Sequence, residues 1–224
     1  MGVVSGTVSG TGRTRTNLAL HHLFAACRFS ARVKEIESAN AGQPFAAFWE
    51  EILQNSLGVA VLTVAALESY ANEMYFEGSI LKQGLNAAAA AELAEIIDRE
   101  SILTKYSLAL SISAGKKLDL GLSVTQNVDA LIKLRNAVVH FRPEWFDEQD
   151  KHEKLSIRLH NKFKPSTFLP NELVFPRAWA SHSFNVWALK TTVEFIDHFH
   201  SEAGTPSVLA QFKTNLSTLS VGAL

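Results

Sequence analysis

The chain has little from which to build a covalent or metal framework: among its 224 residues there is one cysteine, Cys27. A single cysteine excludes an intramolecular disulfide and a cysteine-built zinc site, which suits a reducing cytosol. Cys27 reads as a small core residue rather than a nucleophile. Charge of one sign is also lacking. The 21 Lys and Arg against 22 Asp and Glu leave a net charge of −1, which argues against a basic, non-specific nucleic-acid binder and requires any anion site to be local. Long apolar runs are missing too. Leu57 to Leu67 is interrupted by Gly58 and Thr63 and falls short of the roughly 20 residues that span a bilayer. No membrane span is expected, and the expected location is cytoplasmic. The opening MGVVSGTVSGTGRTRT has neither the basic start nor the apolar stretch of a signal peptide. Gly6 occupies the place where a myristoylation pattern wants Ser or Thr. A Gly-rich phosphate loop, a G-x-S-x-G elbow and an H-E-x-x-H pair are all absent, so the commonest NTPase, hydrolase and zincin signals do not apply.

Two-residue alternation bounded by hairpin turns is likewise absent, and helical periodicity takes its place. Thr16 to Ser38 reads as a first helix with a broad apolar face. Pro44 suits the first turn of a second, long and largely apolar helix that runs to about Glu77. Asn86 is placed to cap an alanine-rich helix through Asp98, and Ile102 to Ser113 reads as a further helix ending at Gly115. Val124 begins another helix that ends near Phe141, because Pro143 pushes Arg142 out of the α region. Glu144 to Pro176 carries clustered charges and several prolines and reads as loop-rich, with aromatic residues that pack it onto the bundle. Arg177 to Ser201 is a last strong helix, and a weaker one follows Pro206. The expectation is an all-α bundle of at least four principal helices, with a loop-rich insertion before the last long helix. Residues 16–217 would form one domain, 1–15 a disordered lead-in and 218–224 a frayed end.

Val124 to Trp145, VTQNVDALIKLRNAVVHFRPEW, is the most informative stretch. Val124, Val128, Leu131, Ile132, Val138 and Val139 recur at the spacing of an amphipathic helix. Arg135 falls inside that apolar face, within about 40° of Leu131 and Val139. A guanidinium cannot shed its proton to escape burial, so it needs a carboxylate, a wet cleft or an anionic ligand. Glu68, itself surrounded by Val61, Val64, Ala65 and Tyr75 at helical spacing, is one candidate partner. The other reading of Glu68 is a stripe-edge carboxylate facing solvent.

Other polar clusters carry less. His198 and His200 lie two apart and point to different sides of a helix, a poor metal pair. Glu194 and His198 share a face but lack a third ligand. Asp147, Glu148 and Asp150 read as solvated loop carboxylates. No metal and no cofactor is expected.

Arg135-Asn136-Ala137-Val138-Val139-His140 remains. It resembles the signature of the HEPN superfamily, helical bundles whose motif is Arg, four to six residues, then His, with Asn, Asp or His favoured directly after the Arg. The same chain matches the bare spacing at Arg15 with His21 or His22, and at Arg177 with His182. Arg135 is singled out by the adjacent Asn136, its place late in an amphipathic helix, and the helix-ending HFRPEW that follows. The resemblance is specific over Lys105 to Trp145. It implies a metal-independent endoribonuclease, often a toxin or phage-defence effector, working as a homodimer in which two copies of the motif form a composite site. A cognate antitoxin is a further partner of that class. The residues carried over are Arg135, Asn136 and His140: histidine for proton transfer, guanidinium for the phosphate.

Local charge fits a phosphate-bearing partner. From Lys133 to Lys164 the net charge is +3, leaving −4 for the remainder, and Lys133, Arg142, Lys151 and Lys154 are candidate RNA contacts. A solvated charged loop is the competing reading. At the level of the whole chain the alternative is a non-catalytic HEPN-like interaction or nucleotide-binding module, in which Arg135 is structural and paired with Glu68.

Overall fold

The computed structural model describes residues 16–77, 86–145, 150–207 and 209–220, and within them every regular element is helical. The lead-in at 1–15 and the last residues, 221–224, lie outside the described part. The α-helices are α1 (Ala19–Ala39), α2 (Phe48–Glu77), α3 (Ala87–Asp98), α4 (Ile102–Ala114), α5 (Ser123–Val139), α6 (Asp150–Leu159), α7 (His182–Ala203) and α8 (Lys213–Ser220). The expected all-α bundle is therefore the architecture.

Helices α1 and α2 form an antiparallel hairpin. Arg32 bonds Glu51 at 2.7 Å near the loop, and at the other end Glu73 Oε1 accepts from the Leu18 and Ala19 amides at 2.7 and 2.9 Å. That carboxylate satisfies free amides and the positive end of the dipole at the start of α1. Between them, Gly58 lets the helices close: an added methyl would sit 2.7 Å from the Phe29 ring.

The second layer is α7, against which α1, α2, α4 and α5 all pack. Phe184, Phe195, Ile196 and Phe199 are fully buried on it. Tyr106 of α4 meets Phe195 and Phe199 edge-on, with ring centroids 4.8 and 5.2 Å apart. Phe48–Tyr75 in α2 is long and apolar enough to cross a bilayer by length and composition, which the interrupted run Leu57 to Leu67 did not suggest. In this fold its apolar faces lie against α1, α4, α5 and α7.

Local signals placed several ends well. Asn86 Oδ1 accepts from the Ala89 amide at 2.9 Å, as a capping residue does. Gly115 ends α4 at φ +66°, the left-handed conformation that glycine adopts without a Cβ penalty. Two starts differ from expectation. Helix α2 begins at Phe48 instead of Pro44, because the preceding segment is held by rings: Phe45 lies on Trp49, and the Arg177 guanidinium stands 5.7 and 5.6 Å from their centroids. Helix α7 begins at His182 instead of Arg177, because the Ser181 hydroxyl caps it by accepting from the Phe184 amide at 3.1 Å.

The span between α5 and α7 is short structure folded onto the bundle, as expected of a loop-rich insertion. Glu144 Oε2 caps α6 through the Lys151 and His152 amides, each at 3.1 Å. Phe141 stacks on His152, with centroids 5.7 Å apart and planes 22° apart. The residues after α5 are thereby fastened to the start of α6.

Candidate functional site

Helix α5 is regular through Val139, and His140 is its C-cap, with its amide still bonding Asn136 O at 2.9 Å. The buried residues of α5 are Thr125, Val128, Ala130, Leu131 and Leu134. Val139, expected within the apolar face, is half exposed. In the last turn the residues of α5 are only partly buried or exposed. Arg135 is half-buried, and its Nε is enclosed without a hydrogen-bond partner. Asn136 and His140 are both exposed. They lie one turn apart on one face of α5, about 140° around from Arg135 in the case of His140.

The pairing of Arg135 with Glu68, one of the two readings of that carboxylate, does not form. Glu68 Oε1 stands 3.7 Å from Lys105 Nζ, and among the described residues no ion pair reaches Arg135. Lys105 enters from α4 with its side chain wholly buried and donates to Asn72 Oδ1 at 2.9 Å. A buried ammonium has the stronger need for a carboxylate, and α4 places it beside α2. Sequence reasoning missed Lys105, whose neighbours in ILTKYSLALSIS give no sign that a charge would be enclosed.

The four candidate RNA contacts separate. Lys133 and Lys154 line an open cleft of about 620 Å³ between α5 and α6; Arg142 and Lys151 do not. The cleft gains two cations that were not singled out, Arg158 and Lys162. Lys154 and Arg158 share a side of α6 at four-residue spacing, whereas Lys162 lies in the turn beyond the helix and is brought to the cleft by the chain reversal at Asn161. Asp129 organises the group, accepting from Lys133 Nζ at 2.8 Å and from Arg158 Nη1 at 2.5 Å. Lys162 Nζ bonds Asn127 Oδ1 at 2.6 Å. Burial, and then the nearby Arg158 charge, hold the Lys162 ammonium below the usual lysine pKa. Among the described residues, neither Lys154 nor Lys162 has a carboxylate within 4 Å.

The competing Arg-to-His match at Arg177 and His182, just before and at the start of α7, is chemically occupied. Arg177 is bound by both Glu172 oxygens and covers two rings, while His182 Nε2 lies 3.3 Å from Ser220 O. The other match begins at Arg15, outside the described residues. His200 is buried, 2.5 Å from the Tyr70 hydroxyl and 2.7 Å from Thr205 Oγ1; Glu194 faces Lys190. Among the described residues no three His, Cys, Asp or Glu side chains gather as a metal site. Burial pushes the Cys27 thiol up to about 12, which makes it a core residue rather than a nucleophile.

No family model, no curated protein and no solved structure matches this chain.

What the geometry offers is an exposed histidine with an amide one turn below it, a half-buried guanidinium behind them, and a cationic cleft beside the same helix. A single chain does not bring Arg135 and His140 to one point, because they project from different sides of a regular helix.

Proposed function

We propose that this chain is a metal-independent endoribonuclease of HEPN type, of the kind used by toxins and phage-defence effectors, acting in the cytoplasm as a homodimer. The observation that carries this reading is the shared face of α5: Asn136 and His140 stand exposed on it, and Lys133 leads from it into a cleft lined, among the described residues, by four cations and one carboxylate. The resemblance of Arg135-Asn136-Ala137-Val138-Val139-His140 to the HEPN motif supplies the reaction class.

Cleavage of RNA without a metal proceeds by attack of the ribose 2′-oxygen on the adjacent phosphorus, with loss of the 5′-oxygen. One group takes the 2′ proton, another protonates the leaving oxygen, and a cation stabilises the pentacoordinate phosphate between them. His140, at the C-terminal end of α5, would be the proton donor. Its copy across a two-fold axis would serve as base, and Arg135 would hold the phosphate oxygens. The divergence of Arg135 and His140 within one chain supports a composite site, since a second copy can bring its own His140 or Arg135 into reach. An antitoxin would be expected to cover the same face.

The test is cleavage of RNA in EDTA by purified protein, wild type against His140→Ala. Loss of cleavage in a folded, equally oligomeric variant is the expected result; unaltered cleavage removes His140 from the reaction.

A second reading has an observation of its own. The half-buried setting of Arg135 is what a non-catalytic interaction or nucleotide-binding module would draw on, although the Glu68 partner it called for is held by Lys105. Its expected result is no cleavage by wild type.

A further inference from the structure

Three parts of the molecule have chemistry that the proposed reaction does not use: the buried Lys105 with Asn72 and Glu68, the Tyr70, His200 and Thr205 chain, and the cleft between α5 and α6. The first two are internally satisfied and enclosed. The cleft is open, and its charge is not balanced from within.

Among the described residues, Asp129 is its one carboxylate. It is shared between Lys133 and Arg158, so each cation receives part of one countercharge, and Lys154 and Lys162 receive none within 4 Å among the described residues. Like charges held this close repel, and the arrangement is relieved by an anion bound among them. Polar anchors hold the cations in place before any ligand arrives: Asp129 fixes Lys133 and Arg158, and Asn127 fixes Lys162 at 2.6 Å. The walls are not wholly polar. Leu120 and Ile157, among the most exposed large apolar residues of the protein, border the same cleft. About 620 Å³ is the size of a small-ligand site and ample for a nucleotide.

The cleft shares a face of α5 with the candidate reaction centre. Gln126, Asp129, Lys133, Asn136 and His140 follow one another at spacings of three and four residues. They fall within an arc of about 80° on α5, and Lys133 lies about 10 Å along the axis from His140. The cleft occupies the first part of this row, and Asn136 and His140 continue it.

We propose that the α5/α6 cleft is a phosphate-backbone subsite for single-stranded RNA, separate from Arg135, Asn136 and His140, in which Lys133, Lys154, Arg158 and Lys162 seat the strand flanking the cleaved bond. It rests on the ribonuclease reading for its occupant, and on the cleft alone for its chemistry. The cations contact phosphates, Leu120 and Ile157 offer an apolar surface to a base, and Asp129 sets the spacing of Lys133 and Arg158. A nucleic-acid strand fits better than a free anion because the positive cleft leads into a row of polar side chains about 10 Å long.

The experiment measures binding of a 5′-fluorescein 12-nucleotide RNA in EDTA by anisotropy, using full-length His140→Ala so that the probe stays intact. The same protein carrying Lys154→Gln, Arg158→Gln and Lys162→Gln is compared with it. Each substitution is at a polar cleft position, and Lys154→Gln alone, which breaks no ion pair among the described residues, serves if the triple variant does not fold. Expected are an affinity at least tenfold weaker for the triple variant and about two- to threefold weaker for Lys154→Gln. The slope of log affinity against log salt should become shallower by about 2 for the triple variant, since each phosphate contact on a single strand contributes about 0.7. Equal binding by parent and variants overturns the proposal, as does absence of binding by the parent. Displacement of the probe by poly-L-glutamate as readily as by unlabelled RNA of equal charge also overturns it, because the cleft would then serve an acidic protein. Cleavage by the chain with His140 intact is a separate readout. RNA bound through the cleft but never cut leaves the subsite standing and removes the ribonuclease; RNA cut with the same KM after the triple substitution does the reverse.

Discussion

Glu68 on α2 faces the buried Lys105 of α4 across 3.7 Å, and Arg135 of α5 is left without a carboxylate among the described residues. The arrangement gives Glu68 to a lysine that the sequence did not single out and withholds it from the arginine that was its candidate partner. Lys105 belongs to the architecture, since its ammonium also holds Asn72 and its carbonyl accepts from the Tyr75 hydroxyl at 2.6 Å.

Glu68→Gln should therefore affect stability and leave RNA cleavage unchanged. The half-exposed carboxylate is worth about 1 kcal/mol. Lys105→Ala should cost about 2–4 kcal/mol through the cavity it leaves, and Lys105→Met, which refills the volume, distinctly less. Denaturant titrations of the three variants beside their cleavage rates check this. Cleavage that falls with Glu68→Gln at unchanged stability would return Glu68 to the site.

Arg135→Met should separate stability from activity in the opposite sense. Removing a guanidinium whose Nε is enclosed without a partner relieves a desolvation cost, for a gain of about 1 kcal/mol and a Tm rise of about 2–4 °C. Cleavage should fall about 10²-fold or more with the loss of a cation on the transition state. A large loss of stability would instead mark Arg135 as a structural residue.

A composite site makes a quantitative claim on mixtures. If acid and base are two copies of His140, a dimer of one wild-type and one His140→Ala chain is inactive. Equal mixing after subunit exchange should then leave roughly a quarter of the activity rather than half. Activity that scales linearly with the wild-type fraction would place the whole reaction within one chain.

Stability should fall on mild acidification. Burial lowers the pKa of His200, a trend only partly opposed by Asp197, and burial also lowers those of His182 and His22. Below the ordinary value of 6.5 the unfolded chain binds protons that the fold still refuses, so unfolding gains as the pH drops from 6.5 towards the folded values. Above 6.5 this contribution is flat. Glu37 acts the other way: burial raises its pKa despite the His182 amide it accepts, so its folded form retains a proton above 4.5. The Tm between pH 8 and 5 should decline for wild type and decline less for His200→Gln, which keeps a polar group beside Tyr70 and Thr205 without the titration. An identical pH slope in the two proteins would remove His200 from the effect.

Much of the fold was legible because it is written locally. Asn86 and Gly115 begin and end their helices by a hydrogen bond or a backbone angle confined to a few residues. The start of α7 was misplaced because the apolar pattern carries back through Trp179, while the deciding bond, Ser181 to Phe184, is a cap that such a pattern does not register. The charged residues were less legible. Whether Lys105 or Arg135 takes Glu68 depends on which helix lies beside α2 at that level, and no periodicity within either helix encodes it.

The sequence by itself determined the helical class, most helix limits, the single-cysteine core and the placement of Asn136 and His140 on one face, since each follows from spacing along one helix. Tertiary structure decided which charges meet. It enclosed Lys105, turned Glu68 towards it, left Arg135 half-buried, and brought Lys154, Arg158 and Lys162 opposite Asp129 and Lys133. The physical reason is that Coulomb and desolvation energies depend on distances and burial between elements far apart in the chain, and those are set only when the helices pack.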